Sequence, residues 1–392
     1  MIKRLLFMKN LLKQYDISVG NATKTVFNND NDIYQDGTLP LYRDKDGTLW
    51  AISGHTHAGH IGMFKGTCIS DLVEVYPTKM NFETGSADNA FNGIKYPEGI
   101  KSRGSVWPMG LYICPNTHRF FCFFHNETGW NGKGTGYDAY GLCDKPNGDS
   151  DFRHIGLIVS DDEGKTWSFL RWVLTSEQVC FTKAYNPDGI NVLGQENKSL
   201  SLGSGDFTLF VNERDGFMYL VYNILSFDFD EKRLSGCNVY LARTRIRTDG
   251  IMGDFVKYYD GRFSEPGNFG KETPIVENAW HARITYSENL GSYVMSSTAV
   301  NSSAYEVSEF VPDYAEFRTG KTLTEWSEPI TIPYKEGNRG YFGNHYVSLV
   351  SEDNVSSASE LRGGVSALLC HNATDVMKYP LKFCKKRSKL FF

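Results

Sequence analysis

The sequence lacks the features that mark membrane-spanning and nucleic-acid-binding proteins. It has no apolar run near the roughly 18 residues of a membrane span. It has no run of basic residues apart from Lys385-Lys386-Arg387. With 41 basic and 46 acidic residues the net charge is −5, which argues against binding to a phosphate backbone. We therefore expect no membrane span and no nucleic-acid partner.

Zinc-site and targeting signals are also missing. None of the eight cysteines forms a C-x-x-C pair, so a structural zinc site is not expected. The basic start MIKRLLFMKNLLKQYD is interrupted by Lys9 and Lys13, which makes it a poor secretory signal. The sequence leaves the localisation open between the cytoplasm and secretion by a leader that lies outside it.

Helical periodicity is almost absent, and strands take its place. Aromatic residues make up 14% of the chain and glycines number 38, a composition typical of many short strands joined by tight turns. The strand-like runs fall into five groups, of which four contain four strands and the last contains three. The groups cover residues 34–78, 104–175, 205–260, 272–333 and 341–384.

A repeated four-stranded unit is the blade of a β-propeller. We predict an all-β fold with one domain over residues 1–392, built as a five-bladed β-propeller of four-stranded antiparallel blades. Six blades are the alternative. An N-terminal strand near residues 22–27 is expected to complete the fifth blade and remove a sheet edge.

One local motif is sharp. Residues 160–167, SDDEGKTW, match S-x-D-x-G-x-T-W at all five fixed positions. The motif resembles the Asp-box of sialidases and other propellers. It predicts a hairpin between outer strands in which the aspartate accepts turn amides, the glycine takes a positive φ and the tryptophan packs. Such a turn indicates the fold and not the chemistry.

Functional side chains of a propeller gather where innermost strands begin and second strands end. Seven of the nine histidines fall at these positions, and only His118 and His154 do not. Asp36, Asp206 and Glu127 are the catalytic candidates, because carboxyl groups serve as bases and acids and apolar surroundings suit Glu127 as the acid. The substrate-binding candidates are His55, His57, Arg103, Trp107, His125, Trp280, His281, Arg283, His345 and His371.

These binding candidates differ in the chemistry they offer. Arg103, Arg283 and Arg243 are suited to hold a substrate carboxylate by a bidentate fork. Trp107 and Trp280 are suited to stack on a sugar ring or to pack in a blade. The alternate histidines at 55 and 57 also suggest a metal, but no third ligand is apparent. We expect no metal and no cofactor.

Several longer segments resemble the five-bladed propeller glycosidases, the clan that includes glycoside hydrolase families 43 and 117. They are YQDGTLPLYRDKDGTLW, GDFTLFVNERDGFMYLVY and KYYDGRFSEPG followed by HARITYSENLGSYVMSS. The resemblance implies that Asp36 is the catalytic base and Asp206 the second, positioning aspartate. A family 43 acid should open a later inner strand, where this chain has His281 and Arg283. Glu127 or a histidine must then supply the proton.

The sequence therefore predicts a glycoside hydrolase that acts on a carbohydrate in a central funnel. A polysaccharide lyase, with a histidine or tyrosine base and an arginine holding a uronate, is the first alternative. An exo-sialidase and a non-catalytic glycan-binding propeller are further alternatives. A sialidase would need an early Arg-Ile-Pro motif, which the chain lacks.

Overall fold

A computed structural model describes residues 9–24, 37–55, 60–79, 94–95, 105–128, 152–176, 199–228, 233–300, 310–333, 345–351, 360–361, 366–372 and 375–386. These residues are almost entirely β-structure, and their one helical segment is the 3₁₀ turn Leu11–Gln14. The all-β fold class predicted from the sequence is confirmed. Within the described ranges, no helix is long and apolar enough to cross a membrane.

The strands follow one another at short intervals. In chain order they are β1 (Tyr15–Val19), β2 (Thr23–Lys24), β3 (Leu41–Arg43), β4 (Leu49–His55), β5 (His60–Gly66), β6 (Val73–Lys79), β7 (Ser105–Ile113), β8 (Phe120–Thr128), β9 (Phe152–Ser160), β10 (Ser168–Leu174), β11 (Ser199–Asn212), β12 (Phe217–Asp228), β13 (Arg233–Arg245), β14 (Val256–Tyr259), β15 (Arg262–Pro266), β16 (Trp280–Ser287), β17 (Ser292–Val300), β18 (Phe310–Gly320), β19 (Ile330–Pro333), β20 (His345–Ser351), β21 (Glu360–Leu361), β22 (Ser366–Asn372) and β23 (Asp375–Lys385).

Hydrogen-bond pairing joins these strands into four sheets, and five antiparallel units can be distinguished within them. Unit 1 contains β3–β6, unit 2 contains β7–β10, unit 3 contains β11–β15, unit 4 contains β16–β19, and unit 5 contains β20, β22, β23 and β1. A parallel contact between Gly203 and Arg153 joins units 2 and 3 into one sheet. The predicted strand groups recur in these units, with a fifth strand in unit 3, and the number of blades stays a prediction.

The strand that completes unit 5 lies earlier than the predicted segment at 22–27. β1 pairs with β23 from Tyr15↔Lys385 to Val19↔Leu381. Of the predicted segment, only Thr23 and Lys24 pair with β23, and residues 25–27 lie outside the described residues. β1 alternates between half-buried and exposed residues, as expected of an edge strand with one covered face.

The units pack through their inner strands. β4 lies against β7, β7 against β11, β11 against β16 and β16 against β20. Val350 of unit 5 packs with Leu39 and Leu41 at the start of unit 1, so the last unit contacts the first. Because a sheet with neighbours on both faces buries both sides, its strands read as continuous apolar runs. In β8, all five residues from Phe120 to Phe124 are at most 2% exposed.

The turn between β9 and β10 has the geometry predicted for residues 160–167. The Asp162 carboxylate accepts the Thr166 N–H at 2.8 Å and the Thr166 hydroxyl at 2.7 Å. The Ser160 hydroxyl oxygen accepts the Gly164 N–H at 2.8 Å, and Gly164 has a φ of 83°. Trp167 is buried in the core. This turn is structural, and its relation to the sialidase motif stays a prediction.

Candidate functional site

Side chains from four units meet around one buried carboxylate. Asp206 of β11 lies 3.2 Å from Arg153 Nη1 through its Oδ2 atom and accepts a 2.9 Å hydrogen bond from the Tyr346 hydroxyl on Oδ1. Its backbone N–H donates to His125 Nδ1 at 2.9 Å. The ring of His281 stacks on Tyr346 with centroids 3.8 Å apart. We call these five residues the Asp206 cluster.

Three members of the Asp206 cluster occupy equivalent and unusual backbone positions. In β11, β16 and β20, two residues oppose one residue of the neighbouring strand. The first residue of each bulge is left-handed, with φ of 43° at Asp206, 53° at His281 and 55° at Tyr346. Non-glycine residues in this region cost of order 1–3 kcal/mol each and persist where the surrounding structure imposes them. Bulges re-aim side chains next to active sites, and here three of them aim at one point.

The electrostatics of the Asp206 cluster keep its carboxylate ionised. Burial alone would raise the pKa of Asp206. The guanidinium of Arg153, with smaller contributions from His125, His281 and the Tyr346 hydrogen bond, outweighs burial and holds that pKa well below its usual range. The Asp206 side chain is 11% exposed and the Arg153 side chain 2%. Asp206 is therefore an acceptor at neutral pH and is not suited to donate a proton.

Bonds between neighbouring units fix the bulges. The Asn223 carboxamide accepts the His281 N–H at 2.9 Å and donates to Ala279 O at 2.9 Å. The Thr208 hydroxyl donates to Ala282 O at 2.9 Å. These three bonds cross from unit 3 to the chain at the start of unit 4. They attach both sides of the His281 bulge to the unit that carries Asp206.

The predicted tryptophans support histidines. Trp107 meets His125 edge-to-face at 5.1 Å, and Trp280 meets His281 in the same manner at 5.6 Å. Each indole is 5% exposed, so most of the ring surface is used in packing. Arg283, two residues after His281, is also buried, and burial lowers its pKa to about 10. It remains charged at neutral pH.

Several predicted site residues are described only in part or not at all. Asp36, His57 and Arg103 lie outside the described residues. For four others the structure describes the backbone but not the side chain, and the strand pairing gives their positions: His55, Glu127, His345 and His371. Glu127 pairs with Arg153, His55 pairs with His60, and His345 pairs with His371.

His154 and Arg153 lie at the start of a third strand, whereas the sequence prediction was limited to the starts of first strands and the ends of second strands. A third strand starts at the end where the second strand finishes, so β9 begins beside the end of β8. His154 is fully buried, and burial together with neighbouring His125 lowers its pKa to about 3. His118, also excluded by that rule, is bonded to Asp44 at 2.8 Å in the turn before β8.

Arg243 does not take the position predicted for a carboxylate clamp. Its guanidinium lies 4.1 Å from the ring centre of Phe217 and 4.0 Å from that of Phe263. It pairs with Tyr219 in the ladder, toward the β11–β12 turn and away from Asn223. Arg243 is held by cation–π contacts. Among the described residues, no group of three or more His, Cys, Asp or Glu side chains is arranged to hold a metal ion.

No protein-family model matches the sequence, and no similar sequence is found among curated proteins. Among solved structures, the chain is similar to a family 117 glycoside hydrolase of the marine bacterium Zobellia galactanivorans. The TM-score is 0.49 at 9% identity, over 96% of this chain and 92% of that one.

Two further similar structures are α-L-arabinofuranosidases. For the enzyme of Podospora anserina the TM-score is 0.45 at 9% identity, over 94% of this chain and 96% of that one. For the enzyme of Lactobacillus brevis it is 0.45 at 13% identity, over 91% and 94%.

Proposed function

We propose that this protein is a glycoside hydrolase whose centre includes the Asp206 cluster. The observation that carries the proposal is the convergence of three left-handed bulges on one carboxylate. Asp206, His281 and Tyr346 come from three different units, and no folding requirement of a single sheet calls for all three. Strain concentrated at one point is typical of sites that bind and react.

Within this centre, Asp206 serves as a positioning carboxylate. Both of its oxygens are engaged, Oδ1 by Tyr346 and Oδ2 by Arg153, and its pKa is lowered. A carboxylate in this state can accept sugar hydroxyls and stabilise the positive charge that develops on the sugar ring. It is poorly suited to be the general acid, which must be protonated before it acts.

The acid and the base are proposed from the sequence. Asp36 activates the attacking water, and Glu127 or a histidine of the funnel protonates the leaving oxygen. The ladder pairing of Glu127 with Arg153 supports this assignment, because Arg153 is also the partner of Asp206. His125 accepts the Asp206 N–H on Nδ1, which leaves Nε2 as the position of the imidazole proton.

The hydrogen bond of Tyr346 favours a hydrolase over a lyase. A lyase base must first lose its own proton, and the Tyr346 hydroxyl donates to an ionised carboxylate. A phenolate beside Asp206 would face a like charge inside a buried site. The centre is therefore better suited to bind and orient a sugar than to remove a proton next to a uronate.

Digestion of a glycan panel tests the proposal. Wild type, Asp36→Asn, Glu127→Gln and Asp206→Asn are compared by new reducing ends and by the near-ultraviolet absorbance of unsaturated sugars. Asp162→Asn is the matched control, since it changes an aspartate of the outer turn. We expect reducing ends without absorbance for wild type and the control, and a loss in the other three. Absorbance that survives those three changes would support a lyase, and binding without turnover would support a non-catalytic glycan-binding protein.

A further inference from the structure

We propose that Arg153 is a positioning residue for this reaction, and that Gly203 and Gly205 leave the space that Arg153 needs beside β11. Arg153 would act through Asp206 and would not touch the sugar. The inference rests on the proposed glycoside hydrolase function and adds to it a residue that the sequence pattern did not identify.

The first support is the geometry of the pair. Arg153 Nη1 lies 3.2 Å from Asp206 Oδ2, and the arginine side chain is only 2% exposed. The Tyr346 hydroxyl holds the other oxygen at 2.9 Å. The carboxylate is therefore held from two different units, by a hydrogen bond from Tyr346 and by an ion pair with Arg153. An aspartate with a left-handed backbone requires such support to hold one orientation.

The second support is the close approach of β11 to β9. Gly203 has a φ of 87°, and a Cβ atom there would lie 2.3 Å from the carbonyl oxygen of Arg153. A Cβ on Gly205 would lie 2.6 Å from His125 Cε1 and 2.9 Å from Arg153 Cβ. Only glycine fits at either position without displacement of its neighbours. Glycine weakens a strand, and this contact gives a physical reason for the Gly-Ser-Gly run before Asp206.

Arg153 also sets the charge state on which the role of Asp206 depends. Burial acts to protonate the carboxyl group, and the guanidinium is the largest influence that opposes it. Without Arg153, only the Tyr346 hydrogen bond and the rings of His125 and His281 would oppose the rise in the Asp206 pKa that burial causes. The carboxyl group would then take up a proton at a higher pH, and the acid limb of the reaction would move with it.

The test compares Arg153→Met and Arg153→Lys with wild type on the glycan that wild type cleaves. Arg119→Met is the control, because Arg119 forms an ion pair with Asp161 at the turn before β8. We expect Arg153→Met to lower kcat by about 100-fold, the size of effect that a small misplacement produces, with KM little changed. We expect its acid limb to shift upward by about 1–3 pH units. Arg153→Lys should recover part of the rate, and Arg119→Met should match wild type.

Gly205→Ala serves as the second variant if Arg153→Met does not fold. It keeps every charge and displaces His125 and Arg153, so we expect a lower kcat and an upward shift of the acid limb that is smaller than in Arg153→Met. An unchanged kcat and acid limb in Arg153→Met, or full activity in Gly205→Ala, would overturn the inference and leave the proposed function intact. If wild type cleaves no glycan, the proposed function fails first and the inference falls with it.

Discussion

Two aspartates of this chain, Asp162 in the outer turn and Asp206 in the centre, accept hydrogen bonds in opposite surroundings. Asp162 is exposed, and its partners Ser160 and Thr166 belong to the same eight-residue turn. Asp206 is buried, and Tyr346 lies 140 positions away in the chain. The recognisable motif is structural, while the centre has no local motif because the topology assembles it.

The pKa values of both carboxyl groups are lowered, but by different causes. For Asp162, burial acts to raise the pKa, and the hydrogen bonds from Thr166 and Ser160 together with the charge of Lys165 lower it overall. For Asp206, burial is opposed mainly by a buried arginine. An exposed carboxylate held by neutral donors can be replaced at small cost. A buried carboxylate held by a charge cannot, because its removal leaves that charge unpaired.

The largest effect is expected from Asp206→Asn. It removes the charge that balances Arg153, and the loss of one partner from a buried ion pair lowers the free energy of unfolding by about 3–5 kcal/mol. Denaturant unfolding at pH 7 measures this value. If Asp206→Asn lost as little free energy of unfolding as Asp162→Asn, the Arg153–Asp206 ion pair would contribute no more to stability than the outer turn does.

The Asp206→Asn effect should also depend on pH in a defined direction. The folded pKa of Asp206 is lowered, so its stabilising contribution is present above the unfolded carboxyl pKa of about 4. It is lost as the pH falls through the folded value. Unfolding measured from pH 7 down to pH 3 should therefore show the gap between wild type and Asp206→Asn narrowing below about pH 4. A gap that widens toward low pH would contradict the lowered pKa.

A change in the N-terminal 3₁₀ turn, away from the Asp206 cluster, should lower the free energy of unfolding without changing activity. Leu12 of the N-terminal 3₁₀ turn is 2% exposed and packs with Val294 and Phe317 of unit 4. Leu12→Ala should lower the free energy of unfolding by about 2–4 kcal/mol through the cavity it leaves. We expect kcat measured well below the melting temperature to be unchanged. A loss of kcat in the folded variant would show that the N-terminal turn affects the Asp206 cluster.

Tyr346→Phe, unlike Leu12→Ala, should lower both the free energy of unfolding and kcat, each by a moderate amount. It removes one hydrogen bond to the Asp206 carboxylate and keeps the ring that stacks on His281. A hydrogen bond to a charged group contributes about 1.5–3 kcal/mol, so we expect about 2 kcal/mol of destabilisation. A drop in kcat of about tenfold should accompany it, as one lost oriented contact would give. Full activity would remove Tyr346 from the proposed centre.

The smallest effect is expected from Asp162→Asn. The amide can still accept one of the two Thr166 hydrogen bonds, so we expect a loss of about 1 kcal/mol. Activity should match wild type. Thermal unfolding and the rate on the cleaved glycan check both statements, and a strong loss of rate would place this turn in the functional site.

The fold was predictable from the sequence because its strands are buried on both faces. Phe120–Phe124 reads as a continuous apolar run and forms part of β8. The closing strand was harder to find, since Tyr15–Val19 alternates weakly and contains a charged residue. The segment at 22–27 has a stronger strand pattern, and of its described residues Thr23 and Lys24 pair with β23.

The candidate site was only partly predictable. Strand ends led to His125, Asp206 and His281, which the structure brings together. The bulges could not be predicted, because none of Asp206, His281 and Tyr346 is a glycine, and a positive φ is uncommon for any other residue. Their conformation is imposed by contacts between units, such as the bond from His281 to Asn223.

The central claim is that Asp206 is a positioning carboxylate of a glycan-cleaving centre, and kcat for Asp206→Asn beside Asp162→Asn tests it most directly. Both variants change one aspartate to its isosteric amide, and both are measured on the same glycan at a temperature where each is folded. We predict a loss of about 100-fold or more for Asp206→Asn and wild-type kcat for Asp162→Asn. Wild-type kcat in Asp206→Asn would contradict the claim.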